Sequence, residues 1–251
     1  MRITSCGITD VGMRRTHNED NFLINDELQL FIVCDGMGGH VGGEIASAIA
    51  VHTLEEAFIS LDWNSKEKHF ENRDEFAREQ LRFAVRLAGK KIYETAQKEP
   101  RYMGMGTTCL AMFIDRCNAF IVHVGDSRGY LIRDNEINQL TEDHSWVNER
   151  ISAGLMTPEE AKNHRLKNVI TRSLGINEEV EVDVLMQALR QDDQLVLCSD
   201  GLSNLVETEE IGALCLENSP QEAGRKLINM ACERGGDDNI TVVILRVDEA
   251  P

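Results

Sequence analysis

Apolar and polar positions along this chain fall into two regimes. In the first, short runs that are apolar almost throughout are separated by brief polar joins. "NFLIN" and "LQLFIVC" flank Asp26-Glu27, "TTCLAMFI" and "AFIVHVG" flank "DRCN", and "GYLIR" and "INQL" flank "DNE". Joins this short connect antiparallel neighbours, so these segments predict β-meanders. Two later runs, "DQLVLCS" and "NITVVILRV", are apolar along nearly their whole length, as expected of strands covered on both faces.

In the second regime the apolar positions recur every three or four residues. Ala77, Leu81, Ala84, Ala88 and Ile92 predict an amphipathic helix over 72–97, and Leu54, Phe58 and Leu61 predict another before it. Helix starts are written into "TPEEA", with Thr157 as N-cap, Pro158 at the first helical position and Glu160 three beyond the cap, and again into "SPQEA" with Ser219, Pro220 and Glu222. Gly235-Gly236 ends that last helix. Meanders separated by helical blocks, without strict βαβ alternation, predict an α+β layered domain. With no repeat, low-complexity segment or linker, residues 1–251 are expected to form one unit.

Composition removes several function classes. The formal net charge of -17 disfavours nucleic acid and anionic lipid as partners, and the longest apolar runs are too short to cross a bilayer. The N-terminal "MRITSCGITDVGMRR" lacks the apolar core of a secretory signal, which makes the cytoplasm the expected compartment. Seven cysteines without a C-x-x-C pair suit neither a disulfide scaffold nor a zinc site; Cys34 and Cys198 are expected to pack as small hydrophobes. No cysteine has an arginine six positions on, which excludes a cysteine-dependent phosphate loop, and "DGMGGHVGG" lacks the spacing and the Gly-Lys pair of a nucleotide loop.

The acids change the picture further. "FIVCDG", "IVHVGDS" and "LVLCSDG" each end an apolar strand in an acid beside glycine or serine, and "GGDDNITVVIL" places Asp237 and Asp238 at the mouth of another. Any one such acid reads first as a turn or cap residue. Four of them, Asp35, Asp126, Asp200 and Asp238, at ends of core strands raise a different possibility: if those ends meet, the carboxylates share a small volume and need protons or cations there. No run of lysines is near, so divalent metal is the simpler answer. All-oxygen donors favour Mg²⁺ or Mn²⁺. "RRTHNED" adds an arginine suited to a phosphoryl group beside Asn18, Glu19 and Asp20.

"RTHNED", "VCDGMGG", "MGTT", "VGDSRGYLI", "EDHS", "RLKNVITRSLG", "LCSDGL" and "GGDDNITVVIL" together resemble, in order and approximate spacing, the metal-dependent Ser/Thr protein phosphatases of type 2C, in their stand-alone bacterial form. The resemblance spans residues 3 to 247 and implies a sandwich of two antiparallel β-sheets flanked by α-helices on both sides, with a flap insertion. It implies that Asp35 bridges two Mn²⁺ or Mg²⁺ ions, with the Gly36 carbonyl on one and Asp200 and Asp238 on the other. Glu19 would act through water on a metal, and Asp126 with Asp200 would hold a third, weaker ion. Arg15 matches the phosphate-binding arginine, Asp20 supports the metal–water network, and Asn239 stands behind the metal ligands.

The implied chemistry is hydrolysis of phosphoserine and phosphothreonine in proteins, Ser/Thr protein kinases among them. Water between two ions loses its proton and attacks phosphorus in line, without a phosphoenzyme. The implied protein is a monomer. Met37 departs from the His that many animal members carry after the Asp-Gly pair, leaving the general acid open between a water on a metal and, less well, His40. His123 is expected to pack within its strand and His144 to begin a helix near the site. Residues 144–192 read as the flap, whose Arg165, Lys167 and Arg172 would guide phosphopeptides. The rival from another class is a catalytically inactive regulatory module on the same fold; every metal position is filled, which favours the enzyme.

Overall fold

The computed structural model describes residues 1–38, 42–61, 70 and 72–250. His40 lies outside the described residues. One sheet, in the order β1-β12-β11-β8-β9, comprises β1 (Arg2–Asp10), β8 (Arg128–Arg133), β9 (Glu136–Gln139), β11 (Gln194–Cys198) and β12 (Ile240–Glu249). The other, in the order β10-β7-β6-β3-β2, comprises β2 (Asn21–Asn25), β3 (Leu30–Cys34), β6 (Cys109–Asp115), β7 (Asn118–Val124) and β10 (Asp183–Ala188). Strands β4 (Gly36–Met37) and β5 (Gly106–Thr107) form a two-residue ladder beside the second sheet. Every ladder is antiparallel.

The near-continuous apolar runs are explained by three layers of core. In β3, Phe31 and Val33 face the other sheet, together with Leu110, Met112, Leu195, Leu197 and Val243. The alternate residues Leu30, Ile32 and Cys34 face helices α1 (Gly42–Ile59) and α2 (Arg73–Lys98), whose Leu54, Phe58, Leu81, Ala88 and Ile92 close that layer. On the opposite side α5 (Asp200–Ser203), α6 (Thr208–Glu217) and α7 (Pro220–Glu233) cover Val196, Cys198, Val242 and Ile244. This is the expected sandwich with helices on both flanks. Cys34 and Cys198 are fully buried in it, as anticipated.

The capping signals translate directly into structure. Helix α4 (Pro158–Lys162) starts with a complete capping box between Thr157 and Glu160, and Ser219 accepts from the Glu222 N–H at the start of α7. Gly235 and Gly236 take positive φ just past the end of α7. The "DNE" join is a two-residue turn with Asp134 and Asn135 both at positive φ, as a primed hairpin turn requires.

Other elements carry no such signal. β1 pairs with β12 over its whole length, yet its residues are only partly covered and its sequence mixes Thr, Ser and Gly with Ile, so no apolar run marks it. Helix α6 begins on a glutamate, Glu207, which closes a capping box with Glu210. Leu61 lies two residues past the end of α1 rather than within it. The 144–192 segment contains α3 (Trp146–Ser152) and α4, but Asp183–Ala188 within it is β10, an edge strand paired with β7.

Candidate metal and phosphate site

The loop ends that the sequence marked with acids converge at one end of the sandwich. Arg15, Glu19, Asp35, Gly36, Asp126, Asp200 and Asp238 all line a single open cleft of about 690 Å³. Arg15 and Glu19 come from the loop after β1, Asp35 and Gly36 from the step between β3 and β4, and Asp126 from the end of β7. Asp200 is the first residue of α5, and Asp238 lies just before β12. Asp20 and Asn239 do not line the cleft; both are buried directly behind it.

Each acid is fixed by its backbone or by a neighbour. The Asp35 N–H donates to Thr108 Oγ1 at 2.9 Å, and the Asp35 carbonyl accepts from the Thr108 N–H at 2.8 Å and the Thr107 hydroxyl at 2.9 Å. Gly36 has no room for a side chain: a Cβ there would stand 2.2 Å from the Gly43 carbonyl oxygen and 2.4 Å from that of Glu19. Asn239 binds the Arg15–Glu19 loop to the start of β12, accepting from the Glu19 N–H at 2.8 Å and donating to the carbonyls of Val11 and His17 at 3.0 and 2.9 Å. Asp20 Oδ2 accepts from Ser199 at 2.8 Å and Thr241 at 2.6 Å, while its Oδ1 is buried without a hydrogen-bond partner among the described residues.

These carboxyls are poorly placed to ionise on their own. Burial, and then the charges of Asp20, Asp200, Asp126 and Asp238, hold Asp35 well above the usual carboxylate range. Burial, with Asp200 and Asp143 adding to it, pushes Asp126 up to about 8. Burial lifts Asp20 to about 7 against the opposing hydroxyl hydrogen bonds. Asp200 is raised by burial and by Asp238, and its carboxyl lies against that of Asp35. Arg15 Nη2 donates to Asp238 Oδ2 at 2.7 Å and remains half exposed at the rim.

Desolvated, mutually repelling oxygen donors with an arginine at the edge fit hard divalent cations. Among the described residues no three His, Cys, Asp or Glu side chains close on one point. A cation held here would be bound by these carboxylates with backbone carbonyl and water completing its shell, the mode Mg²⁺-type ions favour. The fold and the cleft together define a class: a layered α+β scaffold that gathers a carboxylate cluster, bordered by an arginine, in one open cleft.

The chain belongs to the protein phosphatase 2C family, whose model matches residues 13–235. It is 41% identical over 241 residues to the serine/threonine phosphatase stp of Listeria welshimeri, covering 94% of this chain and 93% of that protein. It is 39% identical over 246 residues to the protein phosphatase PhpP of Streptococcus pneumoniae, covering 96% of each. Its fold matches the catalytic domain of the serine/threonine protein phosphatase PstP in complex with two manganese ions, with a TM-score of 0.86, 34% identity, and coverage of 98% of this chain and 99% of that one.

Several groups at the site carry no sequence signal of their own. Thr16, His17, Thr108, Asn168 and Ile170 also line the cleft; each lies inside a segment that carries the family resemblance, but nothing in its residue type announces a role. The same holds for Ser199 and Thr241, which grip Asp20; Ser47, whose hydroxyl donates to the Glu19 carbonyl at 2.6 Å, lies outside every such segment.

His123 and His144 lie side by side, with ring centroids 4.7 Å apart. His123 is buried in β7, and burial pushes it down to about 3, so it is neutral. His144 directly precedes Ser145, the N-cap of α3; its Nδ1 accepts from the Gly125 N–H at 3.1 Å, which leaves Nε2 to donate to Asp183 at 3.2 Å. The basic stretch divides. Arg165 and Lys167 are exposed, whereas Arg172 turns onto Asp183 at 3.1 Å and Glu181 at 3.6 Å.

Proposed function

We propose that this protein hydrolyses phosphoserine and phosphothreonine in proteins, with Asp35, Asp200, Asp238 and the Gly36 carbonyl holding divalent cations and Glu19 acting through their water. The observation that carries this reading is the convergence of unbalanced carboxyls from separate strand ends on the cleft that Arg15 borders. When bound, such ions supply charge neutralisation for the phosphoryl oxygens and a water of lowered pKa. Arg15 keeps one donor on Asp238 and turns its remaining guanidinium N–H groups to the phosphoryl oxygens, fixing their orientation and offsetting developing charge. Asp20, clamped by Ser199 and Thr241, holds the back of the cluster in place, and Asn239 holds the loop that carries Arg15 and Glu19. Met37 lines the cleft and has no proton to give, so the departing Ser or Thr oxygen would take its proton from water or, less well, from His40.

The finer parts of the reading follow from the same donors. Mg²⁺ and Mn²⁺ both suit them, and Asp126 with Asp200 would hold a third, weaker ion. Ser/Thr kinases that are themselves phosphorylated fall within the substrate class. The protein would act as a cytoplasmic monomer; no helix among the described residues is long and apolar enough to cross a membrane. Residues 144–192, apart from β10, would serve as the flap over the site.

The test is release of phosphate from p-nitrophenyl phosphate and from a phosphothreonine peptide. Activity is expected with Mn²⁺, and Asp35→Asn should reduce it to background. A purified, folded protein inactive with both Mn²⁺ and Mg²⁺ would favour the regulatory module instead.

A further inference from the structure

β7 ends at Val124 and β8 begins at Arg128, so the turn that carries Asp126 to the cleft lies outside both ladders. Its first residue must be glycine. Gly125 sits at φ +113°, and a Cβ there would stand 2.6 Å from Thr108 Cγ2. A glycine directly before a carboxylate leaves that carboxylate free to swing unless the backbone is held from outside.

His144 supplies that hold. Its own N–H donates to the Gly125 carbonyl at 2.8 Å, and its Nδ1 accepts from the Gly125 N–H at 3.1 Å, so both polar groups of this buried glycine go to one residue. The histidine is fixed in turn. Its Nε2 donates to Asp183 Oδ2 at 3.2 Å, Asp183 Oδ1 accepts from Arg172 at 3.1 Å, and the Thr171 N–H donates to the His144 carbonyl at 2.8 Å. His123, opposite Asp183 in the β7–β10 ladder, packs against the imidazole. On the other side of Asp126 the hydroxyls of Ser127 and Thr108 bond at 2.8 Å, and Thr108 Oγ1 also accepts the Asp35 N–H.

We propose that His144 is a positioning residue for Asp126: its Nδ1, kept as an acceptor by the Asp183 bond at Nε2, locks Gly125 and so holds the neighbouring carboxylate beside Asp200 for the weaker cation. The proposal rests on the reading above that Asp126 and Asp200 share such an ion. Chemistry separates this role from packing. Any ring of similar size would fill the space, but only an acceptor at the Nδ1 position satisfies the Gly125 N–H, and only a donor at Nε2 engages Asp183. A buried N–H that loses its acceptor costs about 1–3 kcal/mol, enough to let another turn geometry compete. Groups that orient a metal ligand from behind change metal affinity by roughly 10–100-fold when they are removed.

The test distinguishes the two ring nitrogens. His144→Asn keeps an acceptor where Nδ1 stands and gives up Asp183; His144→Gln reaches toward Asp183 and gives up the Nδ1 acceptor. Binding of Mn²⁺ to the metal-stripped full chain is followed by the electron paramagnetic resonance of free Mn²⁺, with Asp126→Asn marking which step is the weaker ion. His144→Gln should weaken that step roughly tenfold and leave the tighter steps within about twofold, while His144→Asn should stay within about threefold of wild type. Equal affinities in the two variants, or parallel weakening of every step, would make His144 merely structural and overturn the proposal. If His144→Gln does not fold, Asp183→Ala at its half-exposed position replaces it: the weaker step should loosen about threefold, and an unchanged step would overturn the proposal. A wild type with only two Mn²⁺ steps, or with none removed by Asp126→Asn, would overturn the third-ion reading and this proposal with it, leaving the phosphatase activity to its own test.

Discussion

Acids at the cleft and shielded acids elsewhere in the same two sheets meet the loss of water in opposite ways. Asp193, 1% exposed, binds Arg133 through both carboxylate oxygens at 2.8 and 2.6 Å and also accepts the Arg190 N–H at 2.7 Å. Asp143 is held by Arg128 and Asp115 by Arg73 in the same manner. At the cleft, Asp35 is ringed instead by Asp20, Asp200, Asp126 and Asp238, while Arg15 is committed to Asp238 and Arg128 to Asp143. A fixed guanidinium beside a carboxylate makes structure. Carboxylates left without one make a place suited to an exchangeable cation.

That contrast predicts opposite signs on mutation. Asp193→Ala strands a mostly buried Arg133 and should lower the unfolding free energy by roughly 2–4 kcal/mol. Asp35→Asn removes a charge that burial and four neighbouring acids disfavour, so it should raise the melting temperature of the metal-stripped protein. Mn²⁺ should then stabilise the wild type and leave the Asp35→Asn variant nearly unmoved. Thermal melts with chelator and with Mn²⁺ decide the matter; equal destabilisation by both substitutions would erase the distinction.

A smaller effect per step is expected from pH. In the metal-stripped protein Asp126 titrates at about 8 and Asp20 at about 7, against an ordinary value of 3.8 for each. The folded chain therefore keeps protons that the unfolded chain releases. This contribution to stability is complete below about pH 4 and is lost as pH rises through 7 and 8, by at most about 1.4 kcal/mol per pH unit for each group. Glu210, drawn down to about 2 by its hydrogen bonds with Arg234, works in the other direction, but only at acid pH. Buried His123, pushed down to about 3 from 6.5, also makes stability rise with pH, up to about 6.5, so melts between about pH 7 and 8.5 isolate the cleft. Stability should fall across that range with chelator and flatten with saturating Mn²⁺; a flat curve without metal would mean the cleft carboxyls are better solvated than their surroundings indicate.

How much of the fold and the cleft is legible in the amino-acid sequence depends on where the information lies. Apolar runs and capping residues are local, so β3, β6, β7, β11, β12, α4 and α7 can be read directly, and the acids ending those strands stand out against them. The partners of β1 and β10 lie far away along the chain, and their half-covered faces leave a mixed pattern that resembles loop. Likewise Asp35 can be recognised beside its glycine, whereas Thr108 and Ser199 are ordinary residues until the fold brings them to an acid. That Arg15 rests on Asp238 rather than standing free is also a product of three dimensions, joining positions 223 residues apart.

The smallest effect belongs to a third kind of acid, the solvated one. Lys162 and Glu207 pair at 3.1 Å, but their side chains are 66% and 65% exposed. Water already satisfies both charges, so little is gained when they meet, and a double-mutant cycle with Lys162→Ala and Glu207→Ala should give a coupling below about 1 kcal/mol. It should shrink further between about 0.1 and 1 M salt, where the screening length falls from roughly 10 to 3 Å. If the cycle gave a salt-insensitive coupling as large as the Asp193 effect, pairing itself would set the energies. A small, screened value leaves loss of water as the variable that separates the Asp193 pair and the cleft acids from the rest.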